Sequence, residues 1–447
     1  MAFTAPPSSS APPTRDGGQR YTDYPMAFGV LTTIFFMWGF LTALNDSLIP
    51  HLKAVFELDY FRAMLVQFTF FGAYFLMSLP AGRLVAHLGF KLGIVAGLAI
   101  AGIGALVFWP AAQFHNYSLF LGALFVLATG ITVLQVAANP YVALLGPAQT
   151  SSSRLTLAQA LNSLGTTIAP LFGGLLILSA TVKSHDQIDA MGAAQQLAYR
   201  THQAQAVQLP YLGLALVLFV LAAGVWMFRL PALTESTEQA DKVKHTLLDA
   251  LRHPHVAFGV LAIFFYVGAE VSIGSFMTNY LTLPQIGAMT EQRASHFVSL
   301  YWFCAMIGRG LGSGLLAWLN PRRLLAGFAV VAGLLVLTTM FTDGSTAVYS
   351  VVLIGLFNSI MFPTIFALGI ERMGPLTDKA SSLLIMAIVG GALVPLLQGI
   401  LADRIGVQHA FVLPLLCYAY IVFYGLSGSK VRTSPAVAST STSEASA

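Results

Sequence analysis

Two carboxylates stand where water is scarce. Of eighteen acidic residues, only Asp46 and Glu270 fall well inside long apolar stretches. A charge at the centre of a bilayer costs roughly 2.5–3.5 kcal/mol on insertion scales. It persists where it faces a cavity, finds a partner or takes up a proton. A carboxyl group in apolar surroundings favours its neutral form, the property that proton coupling needs. The structural alternatives are a helix end at Asp46 and an interhelical hydrogen bond at Glu270. Arg309, in Gly308-Arg309-Gly310, is the one basic residue at comparable depth. It is placed either to pair with a carboxylate or to extend its head to the lipid headgroups.

A set of amides accompanies the carboxylates. Asn45 adjoins Asp46, Gln135 and Asn139 stand four apart on one helix face, and Gln159 and Asn162 stand three apart. Asn279, Asn358 and Gln398 lie in further apolar stretches. An amide both donates and accepts hydrogen bonds, which is what a sugar hydroxyl requires. Phe36, Trp38, Tyr266, Tyr301 and Trp302 offer rings for the apolar faces of a sugar. Against these readings stand helix–helix adhesion for each amide and core or lipid packing for each ring. No Ser-His-Asp order, histidine cluster or phosphate-binding loop is visible, so the chain is not expected to be an enzyme. Two cysteines, Cys304 and Cys417, exclude a disulfide framework and a multi-cysteine metal site, and no cofactor or metal is expected.

The elements that position these residues are transmembrane helices. The 447 residues are 56% hydrophobic and 9% charged, against about 25% charged in soluble domains. Runs long enough to span about 30 Å of hydrocarbon fall at 27–50, 62–82, 91–110, 117–143, 155–179 and 209–229 (spans 1 to 6). Six more fall at 255–283, 293–318, 322–341, 347–370, 380–402 and 408–427 (spans 7 to 12). The expected organisation is a disordered tail over 1–26, a six-helix half over 27–230, a polar linker over 231–254, a second six-helix half over 255–428 and a disordered tail over 429–447. Sixteen of the 22 lysines and arginines fall on the side of the N-terminus and six on the other. That bias predicts a multi-pass protein of the bacterial inner membrane with both termini and the linker cytoplasmic. A net charge of +4 with scattered basic residues argues against nucleic-acid binding. Nothing in the sequence demands more than a monomer.

The halves echo one another. Phe35-Phe36-Met37-Trp38-Gly39 aligns with Phe264-Phe265-Tyr266-Val267-Gly268, Asn139-Pro140-Tyr141 with Phe362-Pro363-Thr364, and Pro170-Leu171-Phe172-Gly173-Gly174 with Pro395-Leu396-Leu397-Gln398-Gly399. The three offsets are 229, 223 and 225 residues. Two parallel six-helix halves describe the major facilitator architecture, with a cavity between them near the bilayer midplane. Proline frees a carbonyl and bends a helix, as rocking of one half against the other requires.

The motifs Asn45-Asp46, Ala137-Ala138-Asn139-Pro140-Tyr141 and Arg154-Leu155-Thr156-Leu157-Ala158-Gln159-Ala160-Leu161-Asn162-Ser163 resemble the L-fucose/proton symporter family, most closely its glucose/galactose permease branch. The likeness runs from about Phe28 to Leu426. It implies proton-driven uptake of a hexose, with Asp46 at the family's proton-handling aspartate and Asn162 at an asparagine implicated in sugar binding. The family's second acid, in span 4, is here Gln135, which cannot titrate; Glu270 is a candidate to replace it. The loop signature between spans 2 and 3 is degenerate, with Ala86-His87 where the superfamily carries Asp-Arg. The resulting expectation is a hexose symporter with Asp46 and Glu270 handling the proton. Asn45, Gln135, Asn139, Gln159, Asn162, Tyr266, Asn279 and Asn358 would contact the sugar. Sodium coupling, a fucose, mannose or N-acetylglucosamine permease, drug efflux and a non-transporting sensor are the alternatives.

Overall fold

The first apolar run folds as one helix, Pro25–Phe56, which outlasts its predicted span by six residues. The structure is a computed structural model describing residues 25–56, 60–114, 116–176, 191–192, 195–196, 208–231 and 246–431; for 44–56, 60–64, 67, 170–176 and 291–292 only the backbone is described. The predicted tails, most of the linker and the end of span 5 therefore lie outside or largely outside the described residues.

Every predicted span has a helical counterpart. Spans 2 and 3 form the continuous Tyr60–Gln113, bent where Gly89 adopts φ 76°, a conformation open to glycine at little cost. Spans 4 to 6 are Tyr117–Leu144, Ser151–Leu176 and Gln208–Met227. Spans 7 to 9 are Pro254–Leu281, Glu291–Trp318 and Pro321–Phe341. Among the described residues, nine stretches are long and apolar enough to cross a membrane, and one of them, Phe68–Gln113, is 46 residues long and holds two crossings. Spans 5 and 8 do not stand out as apolar stretches in this way. They are the two that carry Gln159, Asn162 and Arg309, so polarity and site coincide.

Spans 10 and 11, read from sequence as unbroken, are each interrupted. Span 10 is Gly344–Asn358 followed by Met361–Gly369. Pro363 cannot donate to the carbonyl of Ser359, and its ring presses on that carbonyl, so the helix breaks there. Span 11 runs Thr377–Met386, then a tight turn Ala387–Val389, then Gly390–Ile405. Span 12 comprises Val407–Ala410, Val412–Phe423 and a wider final turn, Tyr424–Gly428. The end of the linker is a short helix, Leu247–Leu251, capped reciprocally by Thr246 and Asp249.

Within the first half span 1 packs on span 5, and spans 2 and 3 pack on span 4; in the second, span 7 packs on spans 11 and 12, and span 8 on span 10. The halves meet where span 8 lies on span 5 and span 2 on span 11, the two equivalent pairs that a twofold between the halves demands. On the side where Arg83, Lys91 and Arg154 lie, the basic face, Arg154 is 2% exposed. Its guanidinium donates to the carbonyls of Val142 at 3.2 Å, Ala143 at 2.5 Å and Pro147 at 2.8 Å. A cation thus satisfies the orphan carbonyls that end span 4.

Candidate functional site

The polar centre is built around Arg309. Its Nη2 lies 3.5 Å from Glu270 Oε1, and both side chains are largely buried, at 12% and 13% exposed. Nε donates to the Ser359 carbonyl at 3.4 Å. That carbonyl is the one Pro363 leaves without a helical donor, so a guanidinium takes the place of the missing N–H. Nη1 donates to the hydroxyl of Ser163, in span 5 of the other half. Gly308 makes this approach possible: a Cβ there would lie 2.5 Å from the Leu356 carbonyl oxygen and 2.6 Å from Ser359 Oγ. Of the two placements open to Arg309 in the sequence, the structure has the ion pair. Tyr266, one turn before Glu270, places its buried hydroxyl beside that carboxylate.

The first half contributes the amides. Gln135 Nε2 donates to the Tyr74 hydroxyl at 2.6 Å, while its Oε1 has no partner. Asn139, one turn along, is fully buried with neither end of its amide bonded, and the Nε2 of Gln159 is likewise unpaired. Buried amides without partners cost one to several kcal/mol each, a cost characteristic of groups shaped for a ligand or water. Asn162 Nδ2 donates to the Phe35 carbonyl at 2.9 Å, which joins span 5 to span 1.

The other residues singled out from sequence are placed differently. Asn358 is fully engaged in its own half, donating to the Tyr301 hydroxyl at 2.8 Å and accepting from the Tyr418 hydroxyl at 2.6 Å. It joins spans 8, 10 and 12. Asn279 is exposed near the far end of span 7, nine residues beyond Glu270. Asn45 and Asp46 lie within the first helix, with side chains outside the described residues. Trp38 packs on Phe35, and Tyr301 is tied to Asn358; of the five rings considered, Trp302 is the exposed one, at 40%. Sequence reasoning missed Tyr74, whose role follows only from facing Gln135. Gln398, noted for its place in span 11 but not assigned to the site, is fully buried with both amide ends unpaired.

The halves are closed on the basic face. Ser153 donates to the Ser313 carbonyl at 2.7 Å and Ser381 to the Val136 carbonyl at 3.0 Å. Farther from that face, Thr167 approaches the Met306 sulfur at 3.7 Å and is already exposed. Among the described residues, the side-chain bonds that close the halves thus gather toward the basic face. A separate cavity of about 540 Å³ on the basic face is lined by Gln149, Ser152, Trp318, Asn320, Arg322 and Glu371, and none of the mid-depth amides reaches it.

The family description "Major Facilitator Superfamily" matches residues 26–387. The chain is 50% identical over 427 residues to a glucose/galactose transporter of Brucella abortus, covering 96% of this chain and 99% of that one. It is 36% identical over 425 residues to the L-fucose-proton symporter of Escherichia coli, covering 94% and 96%. Among solved structures, the transporter FucP in its outward conformation superposes with a TM-score of 0.84 at 36% identity, covering 90% of this chain and 98% of that one. A chain of two six-helix halves, closed on one face around a mid-depth polar centre and matched along nearly its whole length by these proteins, belongs to the Major Facilitator Superfamily, within the family of the glucose/galactose and L-fucose transporters.

Proposed function

We propose that this protein carries a hexose into the cell together with a proton, with glucose or galactose as the leading substrate. The observation that carries the reading is the 50% identity to a glucose/galactose transporter across 99% of that protein's length. The basic face is assigned to the cytoplasm of a bacterial inner membrane, with both termini and the 231–254 linker on that side. The arrangement described above is then outward-facing.

In this state Asp46 and Glu270 take up the coupling proton, and the sugar hydroxyls satisfy Gln135, Asn139, Gln159, the oxygen of Asn162 and Tyr266. A neutralised Asp46 reduces the cost of enclosing the cavity. The halves rock, span 5 parts from span 8 and span 2 from span 11, and sugar and proton leave to the cytoplasm. Asn358 is assigned to holding helices together, and Asn279 to the outer mouth.

The test is uptake of labelled galactose and glucose into liposomes under an imposed pH gradient or an imposed sodium gradient. Accumulation driven by the pH gradient supports the reading. Accumulation driven by sodium alone moves the coupling to ion coordination by carboxylate and amide oxygens. If neither hexose moves, the substrate assignment fails, and counterflow with fucose, mannose and N-acetylglucosamine follows.

A further inference from the structure

Glu270 and Arg309 are the one ion pair at mid-depth among the described residues, and Arg309 alone of the two touches both halves. The other titratable groups within electrostatic reach of Glu270 are phenols: Tyr266 on its own helix, Tyr301 on span 8 and Tyr418 on span 12. Each is uncharged at neutral pH, so among the described residues the guanidinium is the single compensating charge for the carboxylate, and the carboxylate for the guanidinium. A buried ion stripped of its partner is strongly unfavourable unless water reaches it. Ser163 and the Ser359 carbonyl cover two edges of the guanidinium, and parting span 8 from span 5 admits more water to it.

We propose that Arg309 is a positioning residue that couples the charge on Glu270 to closure of the basic face. With Glu270 ionised, Arg309 is neutralised in place and pins span 8 to Ser163 of span 5. With Glu270 neutral, the closed arrangement holds an uncompensated cation, and the halves separate to hydrate it. The inference rests on the transport reading and extends it: the proton acts on the gate through Arg309, with no contact between proton and sugar required.

The experiment reads opening directly, without a sugar or an ion gradient, so its outcome is independent of which substrate or ion the protein uses. Cys304 and Cys417 are replaced by serine, and Ser152, 3% exposed beside the interface, becomes the reporter as Ser152→Cys. The rate of N-ethylmaleimide labelling is measured on the purified full chain. Glu270→Gln is expected to raise it at least fivefold, and Ser163→Ala to raise it by a smaller factor. Combining Glu270→Gln with Arg309→Gln removes both charges and is expected to bring labelling well below that of Glu270→Gln alone. Ser163→Ala is conservative enough to report even if a charge variant fails to fold. Unchanged labelling in Glu270→Gln, a double variant as reactive as that single variant, or Ser163→Ala without effect would overturn the proposal.

Discussion

The hydroxyl of Ser381 donates to the main-chain carbonyl of Val136 at 3.0 Å, across the boundary between the halves. Val136 stands four residues before Pro140, so its carbonyl has no helical donor of its own. In the second half, Ser359 stands four residues before Pro363 and accepts from Arg309. The two prolines that align in the internal repeat thus expose equivalent carbonyls, one used to close the halves and the other to seat the buried cation.

Removal of that cross-half bond should loosen the basic face. Ser381→Ala loses one neutral hydrogen bond, worth about 1 kcal/mol, so the closed state should weaken by about fivefold. Pro140→Ala should act in the same direction, since it returns a helical donor to Val136. Hydrogen–deuterium exchange over Thr377–Met386 measures the effect, and exchange as slow as in the parent for both variants would contradict it.

Asn358 should prove to be an adhesive and not a sugar ligand. Asn358→Leu strands the buried hydroxyls of Tyr301 and Tyr418, at about 1–3 kcal/mol for each group left unsatisfied. A lower thermal midpoint in detergent with unchanged hexose selectivity is expected. An unchanged midpoint with lost hexose affinity would show that the amide contacts sugar.

Gly308 sets how closely span 8 approaches span 10. Gly308→Ala places a methyl group 2.5 Å from the Leu356 carbonyl oxygen, and such overpacking costs about 1–3 kcal/mol. Both thermal stability and uptake should fall, because the displaced helix carries Arg309 away from Glu270. Full uptake in this variant would mean that the ion pair is not needed in its present geometry.

Gln135→Glu should add a titrating group next to Tyr74. At mid-depth the new carboxylate costs roughly 2.5–3.5 kcal/mol if it stays charged. Uptake should therefore become more sensitive to external pH, with activity shifted toward acid conditions where the carboxyl is neutral. A pH profile superimposable on that of the parent would show that this position does not face the coupling path.

Much of this was legible in the sequence. Each of the twelve apolar runs has a helical counterpart, because the length and composition of a run are local properties. The interruption in span 10 was not legible, since the carbonyl that Pro363 frees shows itself only when Arg309 fills it. Which amides are spent on other helices was also hidden. Asn358 and Asn139 look alike as buried asparagines, but Tyr301 and Tyr418 meet the first and no protein group meets the second. The pairing of Glu270 with Arg309 depends on the rotation of span 7 against span 8, which no residue pattern within either span fixes.

Proton coupling is most directly tested by following pH as sugar enters. Galactose or glucose is added to weakly buffered, de-energised cells producing the protein, and the external medium is monitored. The account predicts alkalinisation that tracks sugar entry in the parent and is lost in Asp46→Asn. Sugar entry without any alkalinisation, or alkalinisation undiminished in Asp46→Asn, would contradict it.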